Sequence, residues 1–168
     1  MLVKSVLAGL CLAGLYLAGL SSVALAQNAQ HYGKGFDNWS FTRTKESSGV
    51  TNCRAFRRVG GRDDIMAMRT DGYAYLSVRA EGRNGKFPNS IIVPLREPAN
   101  GMQWDNTIAA DGKRMWVTLP PAAIEIIASK GGYSMLLGGS EDRDDVNLGK
   151  SAPAAWKRVK ECIVDSGG

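Results

Sequence analysis

Histidine is almost absent from this chain of 168 residues, which contains only His31. A serine or cysteine triad needs a histidine base beside the nucleophile, and His31 lies in a polar, glycine-bearing segment that predicts a flexible arm. The motifs CxxC, HExxH and GxSxG and the phosphate-binding glycine loop are missing too. We therefore expect a non-enzymatic protein, and we keep a hydrolase that uses loop carboxylates as an alternative.

Cysteine is also scarce, with three residues, and the first of them, Cys11, lies in an unusual N-terminal segment. Residues 1–26 have Lys4 as their only charge, a long apolar run, and alanines at Ala24 and Ala26, where a signal peptidase cleaves. We predict that residues 1–26 are a signal peptide and that no membrane span remains after its cleavage. An uncleaved anchor is the alternative, because about 20 apolar residues can span a bilayer.

Only Cys53 and Cys162 remain after this cleavage. Two cysteines in an exported chain most simply form one intramolecular disulfide, since export leads to an oxidising compartment. Two free thiols or an intermolecular bridge are the alternatives. We expect the protein to be periplasmic or secreted, with no cofactor and no metal, because oxidised cysteines are not metal ligands.

The remaining pattern predicts one mainly β domain at residues 38–165, preceded by a flexible arm at residues 27–37. Short alternating runs between turn formers predict about eight short strands in an antiparallel β-sandwich or barrel. The clearest alternation lies at residues 73–80. Two short helices are expected near residues 121–131 and 151–163, and the second helix is C-terminal and tethered by the disulfide.

Charge and aromatic residues suggest one candidate binding surface. Its members are Arg54, Arg57 and Arg58 with Tyr73 and Tyr75. We expect it to bind a protein, an envelope component or a glycan; a solvated basic face with packed tyrosines is the alternative. The formal net charge of +5 is modest and gives no reason to expect a nucleic-acid partner.

Acidic residues are concentrated in two segments that are predicted to be turns, at residues 60–64 and 141–145. The first contains Asp63 and Asp64. Solvated turns are the simplest interpretation, but a hydrolase would need carboxylates from both segments to meet in space. A third hypothesis is an inhibitor that inserts residues 81–89 or 141–145 into the cleft of an envelope or host hydrolase.

Both ends of the chain after residue 26 resemble one family of exported proteins. The opening FDNWSFTR…TNCRAFRR combines a tryptophan-bearing strand with a cysteine-bearing one, and the ending combines GYSMLLGG…DDVNLGK with the helix SAPAAWKRVKECI. These segments are similar to the exported bacterial proteins of the invasion-associated locus B type. That family often has a further cysteine after the tryptophan strand, where this chain has Phe41, Thr42 and Arg43.

The resemblance implies a periplasmic or surface-associated β-sandwich without a known catalytic apparatus. It implies a role in envelope biology or in interaction with host cells. It assigns structural roles to Trp39, Cys53 and Cys162 and does not identify binding residues.

Overall fold

The computed structural model describes residues 29–60, 62–79, 88–93, 102–105, 109–110, 114–137 and 143–168. The predicted signal peptide lies outside the described residues, as does most of the segment 81–89.

Eleven strands and two helices make up the described part of the chain. The first six strands are β1 (Gln30–His31), β2 (Trp39–Lys45), β3 (Thr51–Val59), β4 (Arg62–Arg69), β5 (Ala74–Arg79) and β6 (Pro88–Val93). The others are β7 (Met102–Asp105), β8 (Ala109–Ala110), β9 (Arg114–Leu119), β10 (Gly132–Leu137) and β11 (Arg143–Asn147). The helices are α1 (Pro121–Lys130), between β9 and β10, and α2 (Ala152–Val164), at the end.

These strands form two antiparallel sheets that share one hydrophobic core. The larger sheet has seven strands in the order β1-β2-β3-β4-β5-β9-β8, and the smaller has four in the order β11-β10-β6-β7. The predicted fold class, mainly β with antiparallel sheets and two short helices, is therefore confirmed. Of the two predicted arrangements, the barrel is excluded for the described strands, because both sheets are open.

The structure differs from the predicted strands in four places. In the segment 141–145, which was predicted to be a turn, residues 143–145 already belong to β11, because they pair with β10. The sequence did not predict β1 or β7, and β1 lies within the segment predicted to be a flexible arm. The segment 60–64 was predicted to be a loop, but β4 already begins at Arg62, so Asp63 and Asp64 lie on a strand. The physical reason is that both acids are paired across the sheet with arginines of β3, which offsets their low strand propensity.

Helix α2 covers one face of the larger sheet, which we call the inner face. This face contributes the core residues Trp39, Phe41, Cys53, Ala55, Met66 and Leu76. The helix buries Ala155, Trp156, Val159 and Cys162 and lies against β2, β3 and β4. The predicted disulfide joins Cys53 to Cys162 with 6.0 Å between the Cα atoms. The prediction of a C-terminal helix tethered by the disulfide is confirmed.

Helix α1 joins the two sheets within the core. It buries Ile124 and Ile127 and ends at Gly131, whose φ of 72° is the left-handed conformation common at the end of a helix. It contacts α2 through Glu125, whose Oε2 accepts hydrogen bonds from Trp156 Nε1 at 3.1 Å and from Lys160 Nζ at 2.5 Å. Neither helix of the described residues is long and apolar enough to cross a membrane.

The segment before β2 lies against the folded domain. Strand β1 pairs with β2, and Tyr32 Oη donates a hydrogen bond to Asp165, just after α2, at 2.5 Å. This hydrogen bond, together with partial desolvation and the negative charge of Asp165, raises the pKa of the Tyr32 hydroxyl. The segment thus connects the start of the described chain with its last helix.

Candidate functional site

The outer face of the larger sheet, opposite α2, carries the candidate site. Strand register places side chains from β2 to β5 in rows across this face. One row is Thr42, Arg54, Ala67 and Tyr75. The next row is Ser40, Phe56, Ile65 and Ser77, followed by Trp116 of β9.

These rows border a cleft of about 710 Å³, which we call the sheet-face cleft. Among the described residues, its lining combines apolar, hydroxyl, amide and charged groups. They are Asn38, Ser40, Thr42, Arg54, Phe56, Arg58, Asp63 and Ile65.

A tight turn places Asn38 in the lining of this cleft. Asp37 and Asn38 both have positive φ, at 46° and 66°. Phe36 and Trp39 exchange backbone hydrogen bonds across them, at 3.0 and 2.7 Å. Asn and Asp tolerate the left-handed conformation better than other side chains, so this sequence suits a two-residue turn with two positive φ values.

Arg54 is held in the cleft by Tyr75. Its Nε donates a hydrogen bond to Tyr75 Oη at 3.1 Å, and the Asn52 amide donates to the same oxygen at 2.6 Å. Within the described part of the chain, this is the one hydrogen bond of the Arg54 side chain, so both terminal guanidinium nitrogens remain available as donors. The tyrosine therefore orients a positive charge without neutralising it.

Arg58, by contrast, is paired within the protein. Its Nε and one terminal nitrogen donate to the two carboxylate oxygens of Asp63, at 2.7 and 3.2 Å. These hydrogen bonds and the charge of Asp63 raise the pKa of the Arg58 guanidinium. Because the Arg58–Asp63 pair is neutral as a unit, Arg54 is the uncompensated charge among the described lining residues.

Aromatic side chains extend the outer face beyond the cleft. The rings of Tyr75 and Trp116 meet edge to face, with centroids 5.4 Å apart. Ser77 lies beside Trp116 and is 1 % exposed, and its hydroxyl has no hydrogen-bond partner among the described residues. Towards β9, the outer face therefore carries two packed aromatic rings and a buried serine hydroxyl.

The structure brings three of the five predicted binding residues together and places the other two elsewhere. Arg54 and Arg58 line the sheet-face cleft, and Tyr75 adjoins it through Arg54. Tyr73 lies just before β5 and is 61 % exposed. Arg57 points to the inner face, where it contacts Asp64, the Asn147 carbonyl and the Trp39 ring.

The sequence analysis did not assign Ser40, Thr42, Phe56 or Ile65 to the site. The alternation of buried and less buried residues along β2 could have identified two of them. Ser40 and Thr42 alternate with the buried residues Trp39 and Phe41, which places them on the opposite face.

A second, smaller cleft of about 340 Å³ bears on the hydrolase hypothesis, which requires the two acidic segments to meet in space. Asp64 and Asp145 both line it, so the two acidic segments do meet in space. However, Asp64 is ion-paired with Arg57 at 3.0 Å, and Asp145 accepts a hydrogen bond from Ser134 at 2.5 Å. Glycoside hydrolysis by two carboxyl groups needs one of them to donate a proton, and each of these is already engaged.

The described residues contain no group of three or more His, Cys, Asp or Glu side chains that could hold a metal ion. Comparison of the chain with protein-family models, with curated proteins and with solved structures found no match. The candidate site is therefore defined by its geometry: a cleft, an oriented Arg54 and a neutral Arg58–Asp63 pair.

Proposed function

We propose that the chain is an exported, non-enzymatic binding protein of the bacterial envelope or surface, and that its ligand occupies the sheet-face cleft. The observation that carries this proposal is the oriented, uncompensated Arg54 in a cleft of about 710 Å³. Clefts of about 300–1,000 Å³ with a few placed polar groups are the usual form of a small-ligand site. The bound ligand would connect the protein to the envelope or to a host cell.

Two features support the exported part of the proposal. The disulfide between Cys53 and Cys162 is of the kind that persists in oxidising compartments such as the periplasm. Residues 1–26 have the pattern of a signal peptide. The resemblance to the invasion-associated locus B type leads to the same expectation.

A glycan-acting hydrolase is the second candidate, and it is favoured only by the cleft that Asp64 and Asp145 share. It requires purified cell-wall glycan to be hydrolysed and the activity to be lost in Asp145→Asn. The inhibitor hypothesis depends on residues 81–89 and 141–145. Most of the first segment lies outside the described residues, and residues 143–145 of the second belong to β11 rather than to a loop.

The binding proposal is tested by a substitution that blocks the cleft with a large side chain. The probe is a crude cell-envelope fraction, and the readout is the amount of purified exported protein that sediments with it. Thr42→Trp places a bulky ring in the cleft and should weaken saturable binding by about tenfold or more. Thr118→Trp makes the same change on the outer face of β9, outside the cleft lining, and should bind like the wild type.

Both variants must unfold at the same temperature as the wild type, so that a loss of binding is not a loss of folding. If Thr42→Trp sediments with the envelope fraction as much as the wild type does, the cleft is not the binding site. A wild-type protein that does not sediment with the envelope fraction would contradict the binding function itself.

A further inference from the structure

We propose that the sheet-face cleft recognises an acidic glycan and that Arg54 binds the carboxylate of a uronic acid residue. This inference rests on the proposed binding function and adds the chemical class of the ligand. It follows from three features of the cleft: its charge, its mixed polar and apolar lining, and its position within the sheet.

The charge of the cleft matches a single anionic group. Arg58 is neutralised by Asp63, so the net positive charge of the described lining comes from Arg54. Tyr75 holds the Nε of Arg54 and leaves the two terminal nitrogens as a planar fork. A carboxylate accepts two parallel hydrogen bonds from such a fork, which is stronger and more specific than one contact to a point charge.

The other lining residues match the remainder of a sugar. Ser40 and Thr42 carry hydroxyl groups and Asn38 carries an amide, so this part of the cleft both donates and accepts hydrogen bonds, as sugar hydroxyls do. Phe56 and Ile65 supply an apolar surface for the C–H face of a pyranose ring. An inorganic anion would use Arg54 and leave this apolar surface without a partner.

The position of the cleft favours a glycan over an acidic peptide. Extended peptides commonly bind by adding a strand to an exposed sheet edge. The cleft lies over β3 and β4, and each of these strands is already paired with a neighbour on both sides. A ligand here is recognised by side chains alone, which suits a glycan better than a peptide backbone.

The test compares three probes by titration calorimetry with the purified exported protein. They are tetragalacturonate, its carboxyl-reduced neutral counterpart, and tetraglutamate. We expect tetragalacturonate to bind about 10- to 100-fold more tightly than the neutral tetrasaccharide, because a charge-assisted, bidentate hydrogen bond is lost on reduction. We expect tetraglutamate to bind more weakly than tetragalacturonate.

Three variants test whether Arg54 causes the preference for the acidic over the neutral tetrasaccharide. Arg54→Gln should lower the affinity for tetragalacturonate to that for the neutral sugar. Tyr75→Phe removes the oxygen that orients Arg54 and should cause a partial loss. Arg43→Gln is the matched control: it removes the same charge from the neighbouring strand, but Arg43 is in register with Cys53 on the opposite face, so the affinity should not change.

The outcomes separate this inference from the function on which it rests. Equal binding of the acidic and neutral tetrasaccharides, or no binding of tetragalacturonate, overturns the acidic glycan. The binding function is still decided by sedimentation of the wild type with the envelope fraction, and the cleft as its site by Thr42→Trp. Tighter binding of tetraglutamate assigns the cleft to acidic peptides and also overturns the inference. An equal loss in Arg43→Gln and Arg54→Gln shows a general effect of charge and contradicts the role of Arg54.

Discussion

Three arginines of strand β3 show how one position along a strand changes the role of a side chain. Arg54 and Arg58 are four residues apart and lie on the outer face, whereas Arg57 has the opposite parity and points into the core. A charge taken out of water needs a partner, and the Arg57 side chain is only 10 % exposed. Asp64, the Asn147 carbonyl and the Trp39 ring surround its guanidinium group.

Arg57→Ala should therefore lower the free energy of unfolding by about 3–5 kcal/mol. The variant removes the arginine of a buried ion pair, so the Asp64 carboxylate loses its favourable interaction with that positive charge. Urea denaturation followed by tryptophan fluorescence measures the loss. Arg58→Ala is the matched control on the outer face: the Arg58 side chain is 74 % exposed, so its loss should be much smaller. Equal losses in the two variants would contradict a structural role that is specific to Arg57.

At the scale of elements, one carboxylate of α1 accepts two hydrogen bonds from α2. Trp156 is 1 % exposed, and its indole N–H, which is a donor only, needs an acceptor. Glu125 of α1 supplies that acceptor and also pairs with Lys160 on the surface of α2. Glu125 therefore combines a partly buried hydrogen bond with an exposed ion pair.

Two substitutions of Glu125 distinguish these contributions. Glu125→Leu should destabilise the protein by about 1–3 kcal/mol, because the buried indole N–H loses its acceptor. Glu125→Gln keeps a side-chain oxygen for Trp156 and loses only the charge, so we expect most of the stability to remain. Thermal unfolding of both variants measures the difference, and equal destabilisation would assign the contact to the charge of Glu125 instead.

At the scale of the whole molecule, the disulfide closes most of the folded chain. Cys53 and Cys162 are separated by 109 residues, and their bond fastens α2 to β3. In the chain-entropy model, such a bond stabilises the folded state mainly by restricting the unfolded chain, and the effect grows with loop length.

The double variant Cys53→Ser/Cys162→Ser should lose about 4–5 kcal/mol of unfolding free energy, the chain-entropy value for a loop of about 100 residues. The intact mass of the exported wild-type protein should be two hydrogens below the reduced mass. A reductant should lower the stability of the wild type towards that of the double variant and leave the variant unchanged. Free thiols in the native exported protein would refute this picture.

Much of the fold follows from local patterns. Alternation predicted strands β2 and β5, and the two helices predicted near residues 121–131 and 151–163 are α1 and α2. The errors at Asp63 and Asp64 and at β1 have a common cause. Polar segments were assigned to turns or to a flexible arm, whereas cross-strand arginines and pairing with β2 hold them in strands.

The candidate site was only partly predictable, because it too depends on pairing between residues far apart in the chain. Alternation, caps and turn residues act over a few positions, so the sequence by itself determines most strands and both helices. It also determines the disulfide, because only Cys53 and Cys162 remain after the predicted cleavage. The register between strands and the face that α2 covers depend on contacts between residues far apart in the chain. Those contacts bring Tyr75 to Arg54, Asp63 to Arg58 and Arg57 into the core, and they decide which arginine remains available to a ligand.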